Sequence, residues 1–279
     1  MKSNSFNSIS IIIPTFNEEA NIEPLIKRIH AALSSAKITY ELIIVDDPST
    51  DQTKNAASTL AIFYPIILVD KKGKKGKSFS IHEGIHFAQY ETIGMIDADL
   101  QYPPEVIPQM IKALETSDVV VANRKHYKDS IARKLFSKTF RFAFGRALFV
   151  LNHDIQSGLK VFKKEVFDTA RITPTSAWTF DLEFLHRAKQ AGFIIENLDI
   201  VFSKRKNGKS KVGFVGTTVE IGLNAMRVRA KRIQPAHIAP KDPRSMLGAG
   251  IGYKKKKYIT HTTIPHHLCA LRTFTKVQK

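Results

Sequence analysis

Short apolar, β-branched runs alternate with helix-patterned stretches through the first 122 residues. That alternation restricts the chain to an α/β architecture on a mostly parallel sheet flanked by helices. Ile9 to Ile13, Leu42 to Val45, Ile66 to Val69, Ile93 to Ile96 and Val119 to Ala122 read as buried strands. Ala20 to Leu33, Asp51 to Leu60, Ser78 to Ala88 and Glu105 to Leu114 read as the helices between them. A later block, Gly158 to Val201, returns to strand-helix-strand order, with a helix over Thr179 to Gln190 ended by Gly192. A hydrophobic content of 43% is enough to fill a core for such a fold.

In sheets of this kind ligands sit beyond the carboxyl ends of the strands, so the residues just after each strand are the ones to inspect. After the first strand comes Pro14-Thr15-Phe16-Asn17-Glu18-Glu19, after the second Asp46-Asp47-Pro48-Ser49-Thr50-Asp51, and after the fourth Asp97-Ala98-Asp99. Three strand ends therefore converge on one acidic crevice. Asp97 and Asp99, two residues apart in a turn, can face one hard cation, and such oxygen ligands suit Mg²⁺ or Mn²⁺ bridging a diphosphate. A lone Asp-x-Asp is more often a solvated turn or a helix cap; its place at a strand end facing two other acidic ends argues for the site. Asp46 is placed to accept hydrogen bonds from a base or ribose, and Asp51 is a candidate cap for the following helix.

Charge is distributed unevenly. From Lys204 to Lys279 there are 18 Lys and Arg against Glu220 and Asp242, so nearly all of the +18 net charge lies there and the first 203 residues are close to neutral. Such a surface attracts phosphates on lipids, nucleotides or nucleic acids. The run Arg205-Lys206-Asn207-Gly208-Lys209-Ser210-Lys211 is the densest part, and with no aromatic residue interleaved it is not expected to bind nucleic acid. Lys71-Lys72-Gly73-Lys74-Lys75-Gly76-Lys77-Ser78 precedes a helix and can offset phosphate charge, but it lacks Walker-loop spacing. Lys71, Lys72 and Lys74 are expected to be a solvated face. Arg133, Ser137 and Arg141 share one helix face beside a Phe136, Phe140 and Phe144 stripe, which would suit a phosphate next to a hydrocarbon chain. Plain core packing with wet arginines is the competing reading.

Cys269 is the single cysteine, which excludes an intramolecular disulfide framework and fits a reducing, cytoplasmic setting. No run of about 18 apolar residues occurs, so the chain is not expected to span a membrane. Thr217 to Arg232 reads as an amphipathic helix, and Lys254-Lys255-Lys256-Lys257 adds charge that anionic lipid would attract. The expected organisation is a catalytic domain over 1–215, a membrane-surface helix over 216–234 and a basic C-terminal extension over 235–279.

The order of the motifs is more specific than any one of them. IIIPTFNEEANI from Ile11, VDDPSTDQT from Val45, DADLQYPPE from Asp97, SGLKVFKKEVF from Ser157, FDLEFL from Phe180 and RKNGKSKV from Arg205 resemble the family 2 glycosyltransferases of the dolichol-phosphate mannose synthase and polyprenyl-phosphate sugar transferase group. The resemblance covers about residues 9 to 232. It implies a GT-A fold, an inverting mechanism, a divalent metal (Mg or Mn), a nucleotide-sugar donor such as GDP-mannose or a UDP-sugar, and a polyprenyl-phosphate acceptor.

Carried over residue by residue, the resemblance implies that Pro14, Asn17 and Glu18 line the nucleotide pocket, with Asp46 and Asp47 beside the base and ribose; Lys77, from the basic loop before its helix, is the candidate there for the phosphates. Asp97 and Asp99, with Gln101, would form the metal and diphosphate site. Arg124, Arg133 and Ser137 match positions holding the acceptor phosphate, and Arg205 matches an arginine reaching the phosphates. Pro48 and Gln52 stand where glycines are usual in the second motif, so that turn is expected to differ. The membrane helices of some relatives are lacking, which fits peripheral contact with an anionic membrane surface and leaves room for a separate membrane-protein partner.

A phosphate acceptor is already anionic near neutral pH and needs no strong base. A hydroxyl acceptor would need one, with Asp181 or Glu183 as candidates, although Glu183 reads rather as a structural acid pairing a nearby arginine. The alternatives are a transferase of the same fold with a soluble sugar or protein acceptor, a basic nucleic-acid-binding module without enzymatic activity, and a degenerate transferase.

Overall fold

The computed structural model describes residues 7–71, 73–126, 153–172, 174 and 176–205. All of them lie in one unit, Met1–Ile233. Arg133 and Ser137, the phenylalanine stripe, the Thr217 to Arg232 helix and the basic extension lie outside the described residues.

The elements run β1 (Ser8–Thr15), α1 (Glu19–Ser35), β2 (Thr39–Asp46), α2 (Thr53–Leu60), β3 (Ile66–Asp70), α3 (Lys77–Ile85), β4 (Thr92–Met95), a single 3₁₀ turn (Pro104–Val106), α4 (Ile107–Ala113), β5 (Val119–His126), β6 (Lys160–Lys163), α5 (Lys164–Ala170), α6 (Phe180–Gln190) and β7 (Ile195–Val201). The seven strands form one sheet in the order β3-β2-β1-β4-β6-β5-β7. Parallel pairing joins β1 to β2 and β4, β2 to β3, and β5 to β7, whereas β6 runs antiparallel between β4 and β5. Between β6 and β7 the chain forms two helices, α5 and α6, where the sequence suggested one.

Alternating side chains send each strand to both faces, and the apolar residues follow that period of two. Ile12, Ile43 and Val45 pack with Ile81 and Ile85 of α3, Val166 and Phe167 of α5, and Phe180, Phe184 and Leu185 of α6. Ile9, Ile11, Ile13, Leu42 and Ile44 meet Ile22, Leu25, Ile26, Ile29 and Leu33 of α1, Leu60 of α2, and Ile107 and Met110 of α4. Each face thus closes under its own helix layer, and burial of each of these large side chains stabilises the fold by about 1.5–3 kcal/mol. Helix α6 ends where Gly192 takes φ +85°, with the Phe193 amide bonding the Ala188 carbonyl and the Gly192 amide the Lys189 carbonyl. That left-handed cap is what glycine permits at low cost.

The strand order places a topological switch between β1 and β4. From β1 the chain builds outward through β2 to β3, then crosses back to lay β4 on the other side of β1. The β1–β4 pairing stops at Ile12 and Met95, while β1 continues to Thr15 against β2. Pro14 lies in that unpaired stretch on the β4 side, where its missing N–H interrupts no ladder. The carboxyl ends of β1 and β4 flank this switch, the place where α/β sheets bind ligands.

Candidate active site

One half of the crevice is built by the ends of β1 and β2, and hydrogen bonds from hydroxyl and backbone amide donors dominate it. The buried Asp46 carboxylate accepts from Thr15 Oγ1 at 2.9 Å, from the Ser49 amide at 2.9 Å and from Ser49 Oγ at 2.6 Å. Ser49 Oγ also accepts from the Asn17 amide at 2.8 Å, and Asn17 Oδ1 accepts from the Thr50 amide at 2.7 Å. Asn17 has φ +54°, a left-handed conformation that Asn tolerates better than most residues. The Glu18 amide donates to Thr53 Oγ1 at 2.7 Å, and Asp51 Oδ1 accepts from the Thr53 amide at 3.0 Å at the start of α2. Pro48 is exposed, and the adjacent amides of Asp47 and Ser49 bond to the Thr15 carbonyl and to Asp46. The turn therefore closes around Pro48 without an amide at that position.

Ion pairs hold the other half. Lys77, the first residue of α3, places its ammonium 2.6 Å from Asp97 Oδ1 and 3.7 Å from Asp181 Oδ2. Burial alone would lower the Lys77 ammonium, but Asp97 and Asp181 more than reverse this and hold it above the ordinary lysine value. Gly76, just before it, has φ +122°, and a Cβ there would meet Ala177 Cβ at 2.4 Å. Gly158 packs more closely still: a Cβ on it would fall 1.9 Å from Asp97 Oδ2. The Asp97 amide donates to the Gly158 carbonyl at 3.2 Å, so the segment leading into β6 braces the acidic turn from one side.

Asp99 Oδ1 accepts from the Gln101 amide at 3.1 Å, and Asp99 Oδ2 lies 3.8 Å from the Arg205 guanidinium. Arg205 also pairs with Glu18 Oε1, joining the end of the described chain to the start of α1. Burial first and the neighbouring Asp97 second push the Asp99 carboxyl up to about 6. Gln101 Nε2 donates to the Ser203 carbonyl at 3.1 Å and the Ser203 amide returns a bond to the Gln101 carbonyl, which ties the acidic turn to the segment carrying Arg205.

The lysine loop departs from its reading as a solvated face. The Lys71 side chain is 1% exposed, 3.1 Å from Asp47 Oδ1, and donates to Ser80 Oγ at 2.9 Å. Asp47 Oδ2 accepts from the Gly76 amide at 2.6 Å, so Asp47 fastens the loop before α3 to the end of β2. Lys74 and Lys75 are exposed, as a wet loop requires, and Lys72 lies outside the described residues. Arg124 is bidentate to the buried Asp154, at 2.6 and 2.9 Å, with its guanidinium over the Phe202 ring. Lys160, absent from the sequence reading, is fully buried and reaches Asp181 Oδ1 at 2.6 Å and the Ser157 carbonyl. Only its position within the SGLK motif could have drawn attention to it. Glu183 pairs with Arg187 at 2.9 Å, four residues on along α6.

Among the described residues no cluster of three or more His, Cys, Asp or Glu side chains could by itself hold a metal ion. Asp97 and Asp99 are a two-carboxylate set. Mg²⁺ and Mn²⁺ suit such a set because they take one or two carboxylates and complete their coordination with phosphate oxygens and water. Asp99 is desolvated and lies beside a like charge, Asp97, which a divalent cation would relieve, so by the chemistry of their donors the residues present fit one.

Residues 10–170 match the family described as Glycosyl transferase family 2. The chain belongs to that family. It is 33% identical over 213 residues to a dolichol-phosphate mannosyltransferase of Pyrococcus furiosus, an alignment covering 73% of this chain and 59% of that protein. It is 29% identical over 259 residues to a dodecaprenyl-phosphate galacturonate synthase of Rhizobium johnstonii, covering 88% of this chain and 72% of the relative. The fold is GT-A: glucosyl-3-phosphoglycerate synthase of Mycobacterium tuberculosis with UDP superposes with a TM-score of 0.62 at 16% identity, over 81% of this chain and 82% of that one. The same enzyme with Mn²⁺ and UDP-glucose gives a TM-score of 0.61 at 17% identity, over 80% and 78% of the two chains.

Proposed function

We propose that the protein is a metal-dependent transferase that moves a sugar from a nucleotide-sugar donor, GDP-mannose or a UDP-sugar, to a polyprenyl phosphate, with inversion at the sugar. One observation carries the reading. The ends of β1, β2 and β4 bring Glu18, Asp46, Asp47, Asp97 and Asp99 to one crevice, with Lys77 and Arg205 in ion pairs across it. A nucleotide diphosphate needs both kinds of group: carboxylates that accept a bridging cation, and fixed cations that meet the charge developing as the diphosphate leaves. A divalent ion held by Asp97 and Asp99, with Gln101 beside them, would supply Lewis-acid neutralisation of that leaving group.

The chain's own residues divide the remaining work. The β1–β2 half holds Asn17, Glu18 and Asp46 in fixed positions, as a nucleoside site requires. Lys77, paired with Asp97, and Arg205, paired with Asp99 and Glu18, would supply the fixed positive charge for the diphosphate. Asp181 and Glu183, the base candidates for a hydroxyl acceptor, are both engaged in ion pairs, with Lys160 and Arg187. That favours an acceptor that arrives ionised, such as a phosphate monoester. Arg133 and Ser137 are proposed to hold it. Arg124, assigned the same role by resemblance, is turned onto Asp154 and would act by bracing β5 against the segment that leads to Gly158. The relatives named for dolichol and dodecaprenyl phosphates support the lipid acceptor. With such an acceptor the protein would work peripherally at the cytoplasmic face of a membrane; no helix among the described residues is long and apolar enough to cross one.

A second reading, transfer to a small soluble phosphorylated acceptor, is favoured by the likeness of fold to the glucosyl-3-phosphoglycerate synthases. Incubation with a panel of nucleotide sugars, Mg²⁺ or Mn²⁺, and either polyprenyl phosphate or 3-phosphoglycerate separates the two. Sugar-phospholipid product that disappears with chelator supports the proposal, whereas product formed only on the soluble acceptor overturns it.

A further inference from the structure

The candidate metal ligand Asp97 already has a cation against it. Lys77 Nζ stands 2.6 Å from Asp97 Oδ1 and only 3.7 Å from a second carboxylate, Asp181. Asp181 is anchored from its other side by Lys160, 2.6 Å from Oδ1, whose side chain has no exposure and also donates to the Ser157 carbonyl. The result is a row of alternating sign: Asp97, Lys77, Asp181, Lys160. Its members differ in freedom. Lys160 is enclosed, Asp181 sits in the first turn of α6, and Asp97 is packed against Gly158. Lys77 is a four-carbon stem between two carboxylates and, unlike Lys160, keeps 19% of its side chain exposed.

An ammonium and a divalent ion on the same carboxylate repel each other strongly, because both charges lie in a partly desolvated space. We infer that Lys77 is a placeholder cation that neutralises Asp97 before metal loading and moves onto Asp181 when a divalent ion takes Asp97. Asp181, fixed by Lys160, is the perch prepared for the displaced ammonium. The placeholder keeps the empty crevice from carrying two adjacent uncompensated carboxylates, and its displacement couples metal loading to the position of the group nearest the diphosphate. The inference rests on the metal site proposed above and gives Asp181 a role other than general base. Lys160 acts through Asp181 as a positioning residue.

The test is calorimetric titration of MnCl₂ into the full chain without nucleotide, with thermal melts to verify folding. If Lys77 competes with the ion, Lys77→Met tightens Mn²⁺ binding by about tenfold, within the range typical of coupling between two ligands. Lys77→Gln should do the same and serves if the Met variant fails to fold. Asp181→Asn, which removes the perch, should weaken Mn²⁺ binding several-fold, and the double variant should bind like the Lys77 single variant. Removal of two independent charges would also give opposite signs, but additively, with the double variant falling between the singles; such additivity overturns the placeholder. Unchanged or weaker Mn²⁺ binding in both Lys77 variants, with wild type binding normally, overturns the placeholder and leaves the metal site standing. If wild type and both Lys77 variants take up no Mn²⁺, the metal site itself is wrong and the inference falls with it.

Discussion

The two halves of the crevice are made from similar sequence, acidic residues after a buried strand, yet Asp46 is held by hydroxyl and amide donors whereas Asp97 and Asp99 face ammonium and guanidinium groups. At the ends of β1 and β2 the buried Asp46 carboxylate accepts from Thr15, the Ser49 amide and the Ser49 hydroxyl, and Asn17 bonds on to Thr50. At the end of β4, Asp97 and Asp99 face Lys77 and Arg205, and burial beside Asp97 raises the Asp99 carboxyl to about 6. Short polar side chains with backbone donors make a rigid rim whose geometry does not depend on a ligand. Ion pairs between long side chains and neighbouring carboxylates make a site whose partners can be exchanged. A rim of the first kind suits recognition of a neutral nucleoside, and a centre of the second kind suits a charge that arrives and leaves.

The comparison breaks most sharply at Asp99. Asp99→Asn should lower turnover by about a hundredfold or more, since it removes one of the two carboxylates available to a divalent ion. It should not destabilise the fold, because it relieves a desolvated charge beside a like charge. Sugar transfer and thermal melting measured on the same preparation check both halves of the statement. Turnover within severalfold of wild type would mean that the β4 end is an acidic turn and nothing more.

Gly158→Ala tests the same centre from behind. The new methyl would fall 1.9 Å from Asp97 Oδ2 and 2.4 Å from Cγ, so the carboxylate must swing away. A displacement of about an ångström at a reacting centre can cost about a hundredfold in rate, and the overpacking should cost about 1–3 kcal/mol of stability. Affinity for a nucleoside without its diphosphate, which the β1–β2 half would hold, should stay within about twofold. A variant with normal turnover would show that Asp97 is not held by this packing.

On the β1–β2 rim, Ser49→Ala removes a donor to Asp46 and an acceptor for the Asn17 amide. The expected loss is about 1–2 kcal/mol of stability. Nucleotide Kd should rise by up to about tenfold, equivalent to ~1.4 kcal/mol, with turnover at saturating donor little changed. A fall in turnover with Kd unaffected would reverse the assignment of the two halves.

Much of this arrangement could be read from sequence because it follows from alternation and strand ends. The strands, the helices packed on both faces and the acidic crevice all depend on local pattern, and Gly192 ended α6 as its conformational freedom suggests. The ion pairs could not be read in the same way. Lys160 meets Asp181 across 21 positions and Arg205 meets Glu18 across 187. Lys71 looked like its neighbours in a basic run, but Asp47, Gly76 and Ser80 draw it into the interior. Arg124 read as a phosphate ligand by resemblance, and its pairing depends on Asp154, whose approach no periodicity predicts. Charges in a loop advertise an electrostatic site without saying which are bound to each other.

Pro48 marks the smallest expected effect and the finest test of the contrast. The motif usually carries glycine there, so a proline looked like damage to the turn. In the structure Pro48 is exposed and no amide is needed at that position, because Asp47 and Ser49 supply the turn's donors to Thr15 and Asp46. Pro48→Gly should therefore lower stability by about 0.4–1 kcal/mol, chiefly by giving the unfolded chain more freedom. Nucleotide Kd and turnover should not change, because the hydrogen bonds that shape the rim remain. Equilibrium unfolding in urea, read beside a nucleotide titration, checks both. If glycine instead improves nucleotide binding markedly, the β1–β2 rim is strained by its proline and is less pre-formed than its hydroxyl and amide hydrogen bonds imply.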